Sequence, residues 1–168
     1  MGFTVGIDLG TTNSVVAIKK VGLATIHNSE GEELTPSCVT CVKTNEAPDF
    51  IVGRESVNLA KQYPEETVKS IKRLMGRNFH DLEVQYIIKN NVVSYKIVTD
   101  PKEPDSIRVA LLDNLYTPEA ISAVILKKLI NDSKLDLGGE VEQAVVTVPA
   151  YFPTGKNLQL ELLANKQD

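Results

Sequence analysis

Gly6-Ile7-Asp8-Leu9-Gly10-Thr11-Thr12-Asn13-Ser14 brings a carboxylate, a glycine turn and two hydroxyls into one short stretch. Glycine lets the backbone approach a ligand closely. Successive backbone N–H groups at such a turn can form an anion-binding nest. Thr11 and Thr12 add hydroxyl donors suited to phosphate. Asp8 alone would repel phosphate, so its presence makes sense if it holds Mg²⁺, directly or through water. A plainer reading stays open beside this one. Turns favour these residue types, so the segment can equally be an ordinary hairpin turn with Asp8 as its capping residue.

Other chemistry-bearing residues point less far. Cys38-Val39-Thr40-Cys41 has the spacing of half a zinc site or of a redox motif, but no second cysteine pair exists to complete four ligands. On a strand the two thiols would face opposite ways. His27 and His80 have no clustered ligand partners in the sequence. Asn131-Asp132-Ser133 is a glycosylation sequon inside a predicted helix, and Gly155-Lys156-Asn157 lacks the earlier glycine and closing hydroxyl of a P-loop. Lys72 falls near the end of a predicted helix, where a lysine ordinarily complements the helix dipole.

The elements that must position these residues alternate between strand and helix. Phe3 to Asp8 is apolar and reads as a buried strand, with Ser14 to Lys19 as its hairpin partner. Leu23 to His27 and Pro36 to Val42 read as further strands, and Gly53 to Gln62 as a helix with Val57 and Leu59-Ala60 inward. A helix is predicted to open at Pro64, with Val68, Ile71 and Leu74-Met75 at helical spacing and Gly76 as its C-cap. Val84 to Ile88 and Val92 to Val98 read as strands joined at Asn90-Asn91. Pro101 to Asp105 is a loop, and alternating Ile107, Val109 and Leu111 are a strand. The clearest helix starts at Thr117-Pro118-Glu119, carries Ile121, Val124, Ile125 and Leu129 on one stripe, and ends at Gly138-Gly139. Ala144 to Val148 is a strand stopped by Pro149. The pattern predicts an α/β or α+β architecture.

The bulk properties fit one domain or two small subdomains. The chain has 168 residues, 42% of them hydrophobic, enough for a core and too many for a disordered chain. A net charge of −4 offers no basic field for nucleic acid. No run approaches a membrane span, and Asp8 interrupts the N-terminal apolar stretch before it can read as a signal peptide. Two cysteines imply no disulfide framework, so a reducing compartment, by default the cytoplasm, is expected.

The 6–14 segment resembles the first phosphate-binding motif of the actin, hexokinase and heat-shock protein 70 superfamily. Asn28-Ser29-Glu30-Gly31 with Thr35-Pro36-Ser37, then Val52-Gly53-Arg54, then Ser70-Ile71-Lys72-Arg73-Leu74-Met75-Gly76-Arg77 are similar to the heat-shock protein 70 chaperones. So are Tyr116 to Ala123 and Val146-Thr147-Val148-Pro149-Ala150-Tyr151-Phe152, and the order across 3–152 is that of the family. The resemblance implies a ribonuclease-H-like ATPase lobe, a mixed sheet with flanking helices, incomplete within these residues. It implies a first lobe of a nucleotide-binding domain over 1–168. One subdomain would comprise 1–37 and 112–168, with a smaller one, 38–111, inserted.

The same resemblance implies ATP or ADP with Mg²⁺ as cofactors and roles for particular residues. Asp8 would bind Mg²⁺ through water. Gly10, Thr11 and Thr12 would hold the β- and γ-phosphates, with Asn13 in the same cofactor-binding turn. Lys72 would reach the γ-phosphate and the attacking water, and Arg73 would lie beside the nucleotide. Pro149 would sit on the path that couples nucleotide state to a substrate domain. A J-domain cochaperone or a nucleotide-exchange factor would be the partner, in protein folding and the stress response.

The resemblance stops after Phe152. Asn157 falls where the family carries an arginine important for interdomain signalling, and 158–168 do not resemble the family helix. The second half of the nucleotide-binding domain and the peptide-binding domain have no counterpart here. Weak or absent ATP hydrolysis and no binding of client peptide are therefore expected of these residues alone. Two rival readings remain: a non-catalytic module that binds a cochaperone or exchange factor, and a fragment of a superfamily sugar kinase. The segments around Lys72 and Pro149 favour the chaperone over the kinase.

Overall fold

A computed structural model describes residues 2–19, 22–45 and 47–147. Its centre is a mixed sheet. β1 (Phe3–Asp8) lies between β11 (Val141–Val146), to which it is parallel, and β2 (Asn13–Lys19), to which it is antiparallel. β3 (Leu23–Thr25) and β4 (Leu34–Pro36) both pair with β2. Two smaller antiparallel sheets follow. One has the order β6 (Pro48–Val52), β5 (Cys38–Lys43), β7 (Thr67–Lys69); the other has β10 (Asn114–Tyr116), β9 (Ile107–Leu111), β8 (Lys96–Thr99).

Strand alternation decides which way the site faces. In β1, Val5 and Ile7 are buried while Thr4, Gly6 and Asp8 are exposed. The period of two therefore sends Asp8 away from the core that Val5 and Ile7 enter. That core is closed by α3 (Pro118–Leu137), whose Ile121, Ile125 and Leu129 are at most 2% exposed.

The caps of α3 are those its sequence predicts. Thr117 Oγ1 accepts from the Ala120 N–H at 3.0 Å, and Pro118 occupies the first helical position. Gly138, at φ 64°, ends the helix in the left-handed region. The buried stripe is wider than predicted. Val124 is only half-buried, whereas Ser122, Asp132 and Ser133 are buried. Both serines are satisfied within the helix, Ser122 Oγ donating to Pro118 O at 2.8 Å and Ser133 Oγ to Leu129 O at 2.7 Å.

Two predicted elements differ. The stretch opening at Pro64 is not a helix but β7 followed by a 3-10 turn, Ile71–Arg73. Thr67 and Val68 are β-branched and pair across to Thr40 and Val39 of β5, and Val68 is 1% exposed. Sheet pairing overrides the apparent helical spacing. Gly76 does take a positive φ of 70°, but it closes this turn region rather than a helix.

The second difference is 84–88, which is not a strand but part of α2 (Leu82–Lys89). Its buried residues, Val84 and Ile87, are three apart, while Leu82 is 89% exposed. A short apolar run does not separate helix from strand by periodicity. Asn91 is left-handed at φ 49°, as asparagine permits, yet it leaves a helix instead of joining two strands. The strand that follows starts only at Lys96. The helix predicted over Gly53 to Gln62 is α1 (Arg54–Leu59), and its buried residue is Ser56.

Cys38 and Cys41 are free thiols, each 2% exposed. Burial pushes both thiols up from their ordinary range, which suits packing and not metal binding. His27 and His80 are exposed, and each lies near one aspartate, Asp136 at 3.9 Å and Asp105 at 3.7 Å.

Candidate functional site

The site forms where β1 ends. Asp8 is its last residue, and its side chain is 59% exposed. The chain then turns through Gly10, Thr11 and Thr12 into β2. Glycine is required at position 10 by close approach: a Cβ there would lie 1.9 Å from the Asn13 carbonyl oxygen, with backbone rather than a movable side chain in the way.

The turn is braced from behind. The Ser37 N–H donates to Thr12 O at 2.8 Å, and Asn13 pairs with Pro36 in the β2–β4 ladder. Ser14 and Ser37 share a buried hydroxyl hydrogen bond of 2.8 Å. These contacts hold the backbone while Thr12 and Asn13 stay exposed and Thr11 half-buried.

A cation comes from far along the chain. The 3-10 turn that carries Lys72 is anchored by Ile71, Leu74 and Met75, all at most 2% exposed. Ser70 enters it left-handed at φ 57°. Glu119, in the first turn of α3, accepts from the Gly76 N–H at 3.3 Å, and Ser122 Oγ lies 3.1 Å from Met75 Sδ. So anchored, Lys72 places Nζ 4.0 Å from Asp8 Oδ1, with its side chain 20% exposed.

A further group reaches the same oxygen. Thr147, just beyond β11, donates its hydroxyl to Asp8 Oδ1 at 2.6 Å, and its N–H donates to Ile7 O at 2.9 Å. Sequence reasoning assigned Thr147 no role. A threonine after an apolar strand carries no local signal; only the parallel pairing of β11 with β1 brings it beside Asp8.

The structure thus brings together Asp8, the turn at Gly10, Thr11, Thr12 and Asn13, and Lys72. It does not bring Arg73 into that group. Arg73 is exposed, and its charge acts on the phenol of Tyr95. Burial pushes that phenol well above the ordinary tyrosine range, Arg73 opposes the shift, and the hydroxyl donates to Lys69 O at 3.0 Å. Pro149, and the stretch from Asn157 onward, lie outside the described residues.

The donor set can be weighed against a magnesium ion. Among the described residues no three His, Cys, Asp or Glu side chains converge as a metal site. One exposed carboxylate beside a hydroxyl-lined turn therefore makes no cage of its own. It does fit Mg²⁺ that keeps most of its waters and arrives with phosphate oxygens.

A mixed sheet with flanking helices, its first hairpin carrying this turn, is the fold of an Hsp70-type ATPase lobe. The Hsp70 protein family matches residues 4–157, and the chain belongs to that family; the likeness therefore runs past Phe152, where the sequence reading ended it, and the match to a first relative covers nearly the whole chain. Chaperone protein DnaK of Thermus thermophilus is 45% identical over 166 residues, which is 98% of this chain and 25% of the relative. Chaperone protein dnaK1 of Synechococcus elongatus is 44% identical over 153 residues, 90% of this chain and 22% of the relative. Chaperone protein dnaK of Trieres chinensis is 43% identical over 153 residues, 90% of this chain and 24% of the relative. The chain spans about a quarter of the length of these curated relatives. Among the described residues no helix is long and apolar enough to cross a membrane.

Proposed function

We propose that these residues form the phosphate-binding lobe of an ATP-dependent chaperone's nucleotide site. The convergence of Lys72 and Asp8 beside the Gly10 turn carries the reading. Backbone N–H groups of the turn and the Thr11 and Thr12 hydroxyls would bind the β- and γ-phosphates. Asn13 would border them, and Arg73 would lie at the periphery of the nucleotide. Asp8 would hold Mg²⁺ through water. When bound, that ion would neutralise charge on the phosphate oxygens. Lys72 would orient the γ-phosphate and the attacking water and stabilise negative charge as it develops.

The division into 1–37 with 112–168, and an inserted 38–111, belongs to the same reading. It is supported by the central sheet, whose strands come from both ends of the sequence while 38–111 supplies the sheet around β5 and most of that around β9. Phosphate and magnesium contacts without a base pocket make a weak site, so we expect modest nucleotide affinity and little hydrolysis from these residues alone. J-domain cochaperones or exchange factors are the expected partners, and Pro149 the expected coupling residue.

Calorimetric titration with MgATP tests the reading. Binding by the wild type that weakens about tenfold or more in Asp8→Asn and in Lys72→Ala is the expected result. No heat from a folded, monomeric wild type would overturn it.

A further inference from the structure

We propose that Thr147 is a positioning residue for the nucleotide-bound cation: its hydroxyl selects the Asp8 carboxylate orientation that leaves Oδ2 for cation-bound water. The inference rests on the nucleotide reading above.

The backbone fixes where Thr147 stands. The parallel register runs Val5 with Ala144, Gly6 with Val145 and Ile7 with Val146, and the Thr147 N–H closes on Ile7 O at 2.9 Å. Thr147 is therefore held beside Asp8 by the ladder, whatever its side chain does. A carboxylate only accepts, so in the 2.6 Å contact the threonine must donate its single hydroxyl proton. That length is typical of a hydroxyl on an ionised oxygen, about twice as strong as a neutral hydrogen bond.

Among the described residues little else that is polar restrains the carboxylate; Val15, its partner across the β1–β2 ladder, is apolar. Asp8 is 59% exposed, on the sheet face opposite Val5 and Ile7. Gly6, its neighbour on the same face of β1, has no side chain to pack against it. Lys72 at 4.0 Å supplies charge, but it lies beyond hydrogen-bond range and fixes no direction. Both contacts fall on Oδ1, so Oδ2 is the oxygen turned over to solvent and ligand. A threonine chosen only for its strand preference would be replaceable by valine, which keeps the β-branch and loses the donor. Serine keeps the donor and loses the methyl.

Two measurements on the 168-residue chain separate these roles. The first is the Asp8 χ1 rotamer, from three-bond NMR couplings without ligand. One rotamer is expected in the wild type and in Thr147→Ser, and averaging in Thr147→Val. The second is calorimetric titration with ADP, with and without Mg²⁺. Thr147→Val is expected to lose about tenfold of the magnesium-dependent gain in affinity while its metal-free ADP affinity is unchanged, and Thr147→Ser to recover most of that gain. An unaltered Asp8 rotamer in Thr147→Val overturns the inference. So does an equal loss of the magnesium gain in the valine and serine variants. If Asp8→Asn abolishes the magnesium gain and Thr147→Val does not, the nucleotide reading stands and this inference falls. If the wild type shows no magnesium gain, the nucleotide reading fails and takes the positioning role with it.

Discussion

Two groups of hydroxyls in this molecule use the same side chains for opposite ends. Between β5, α1 and β7, Thr40, Ser56 and Thr67 are 0%, 0% and 4% exposed. Thr67 donates to Tyr63 O at 2.7 Å, so its proton is taken. Thr40, 2.9 Å from Thr67, must then donate to it, and Ser56 Oγ lies 2.8 Å from Thr40 Oγ1 and 3.1 Å from Cys38 Sγ. All three buried hydroxyls find their partners within the protein. In the turn after β1, Thr12 is exposed and Thr11 half-buried. There the hydroxyls are held by a braced backbone and not by one another. A buried hydroxyl must be satisfied by protein; an exposed one held in place stays free to meet phosphate or water.

The largest effect should come from cutting the buried chain of hydroxyls. Thr40→Val removes its middle member and leaves Ser56 and Thr67 each short of a partner. We expect a loss of about 2–3 kcal/mol in urea unfolding, with nucleotide affinity unchanged. A loss no larger than that of an exposed threonine would break the comparison.

Lys128 tests whether a partly buried charge behaves like the buried hydroxyls. Its Nζ meets Asp132 at 2.9 Å, Ser29 at 2.9 Å and Glu30 at 3.3 Å, and Asp132 is 7% exposed. Lys128→Met strands that carboxylate, and a cost of about 2 kcal/mol is expected after allowing for the solvent that still reaches the pair. Burial pulls the Lys128 ammonium down, but Asp132 and then Glu30 outweigh it and leave it raised. Its stabilising contribution is therefore complete below the ordinary lysine value and lost as pH rises through the folded value. The difference between wild type and Lys128→Met in urea unfolding should shrink over that range.

Tyr95 is a smaller case of the same kind. Tyr95→Phe removes the bond to Lys69 O and should cost about 1 kcal/mol at neutral pH. Because burial raises the phenol, the unfolded chain ionises first as pH rises past about 10. Stability then falls with pH in the wild type, and this component should vanish in Tyr95→Phe.

The smallest effect on folding should be at the site itself. Thr11→Val is expected to change stability by less than about 0.5 kcal/mol while weakening MgATP binding. A large loss of stability would mean that the two groups of hydroxyls do the same work.

Much of the architecture was legible where its causes lie within a few residues of each other. The Thr117 cap, Pro118 and the Gly138 terminus are local, and α3 has those ends. The close turn at Gly10 is local too, whereas the alternation that faces Asp8 outward, in a strand whose sequence reads as wholly buried, appears only once one face of β1 is packed. Where a short apolar run admitted either period, as at Thr67 to Lys69 and Leu82 to Lys89, the outcome depended on the partner that buried it. Val68 found a strand, β5, while Val84 and Ile87 needed a helix to share one buried face.

From the residues themselves came the glycine turn after β1 and, through the resemblance, the family. Tertiary structure alone decided what stands around the turn. Lys72 arrives on a 3-10 turn anchored to α3, and Thr147 lies 139 residues from the carboxylate it contacts. The reason is the range of the forces. Backbone preference and side-chain alternation act between neighbours in sequence, whereas a hydrogen bond between two strand ends exists only after the sheet has paired them.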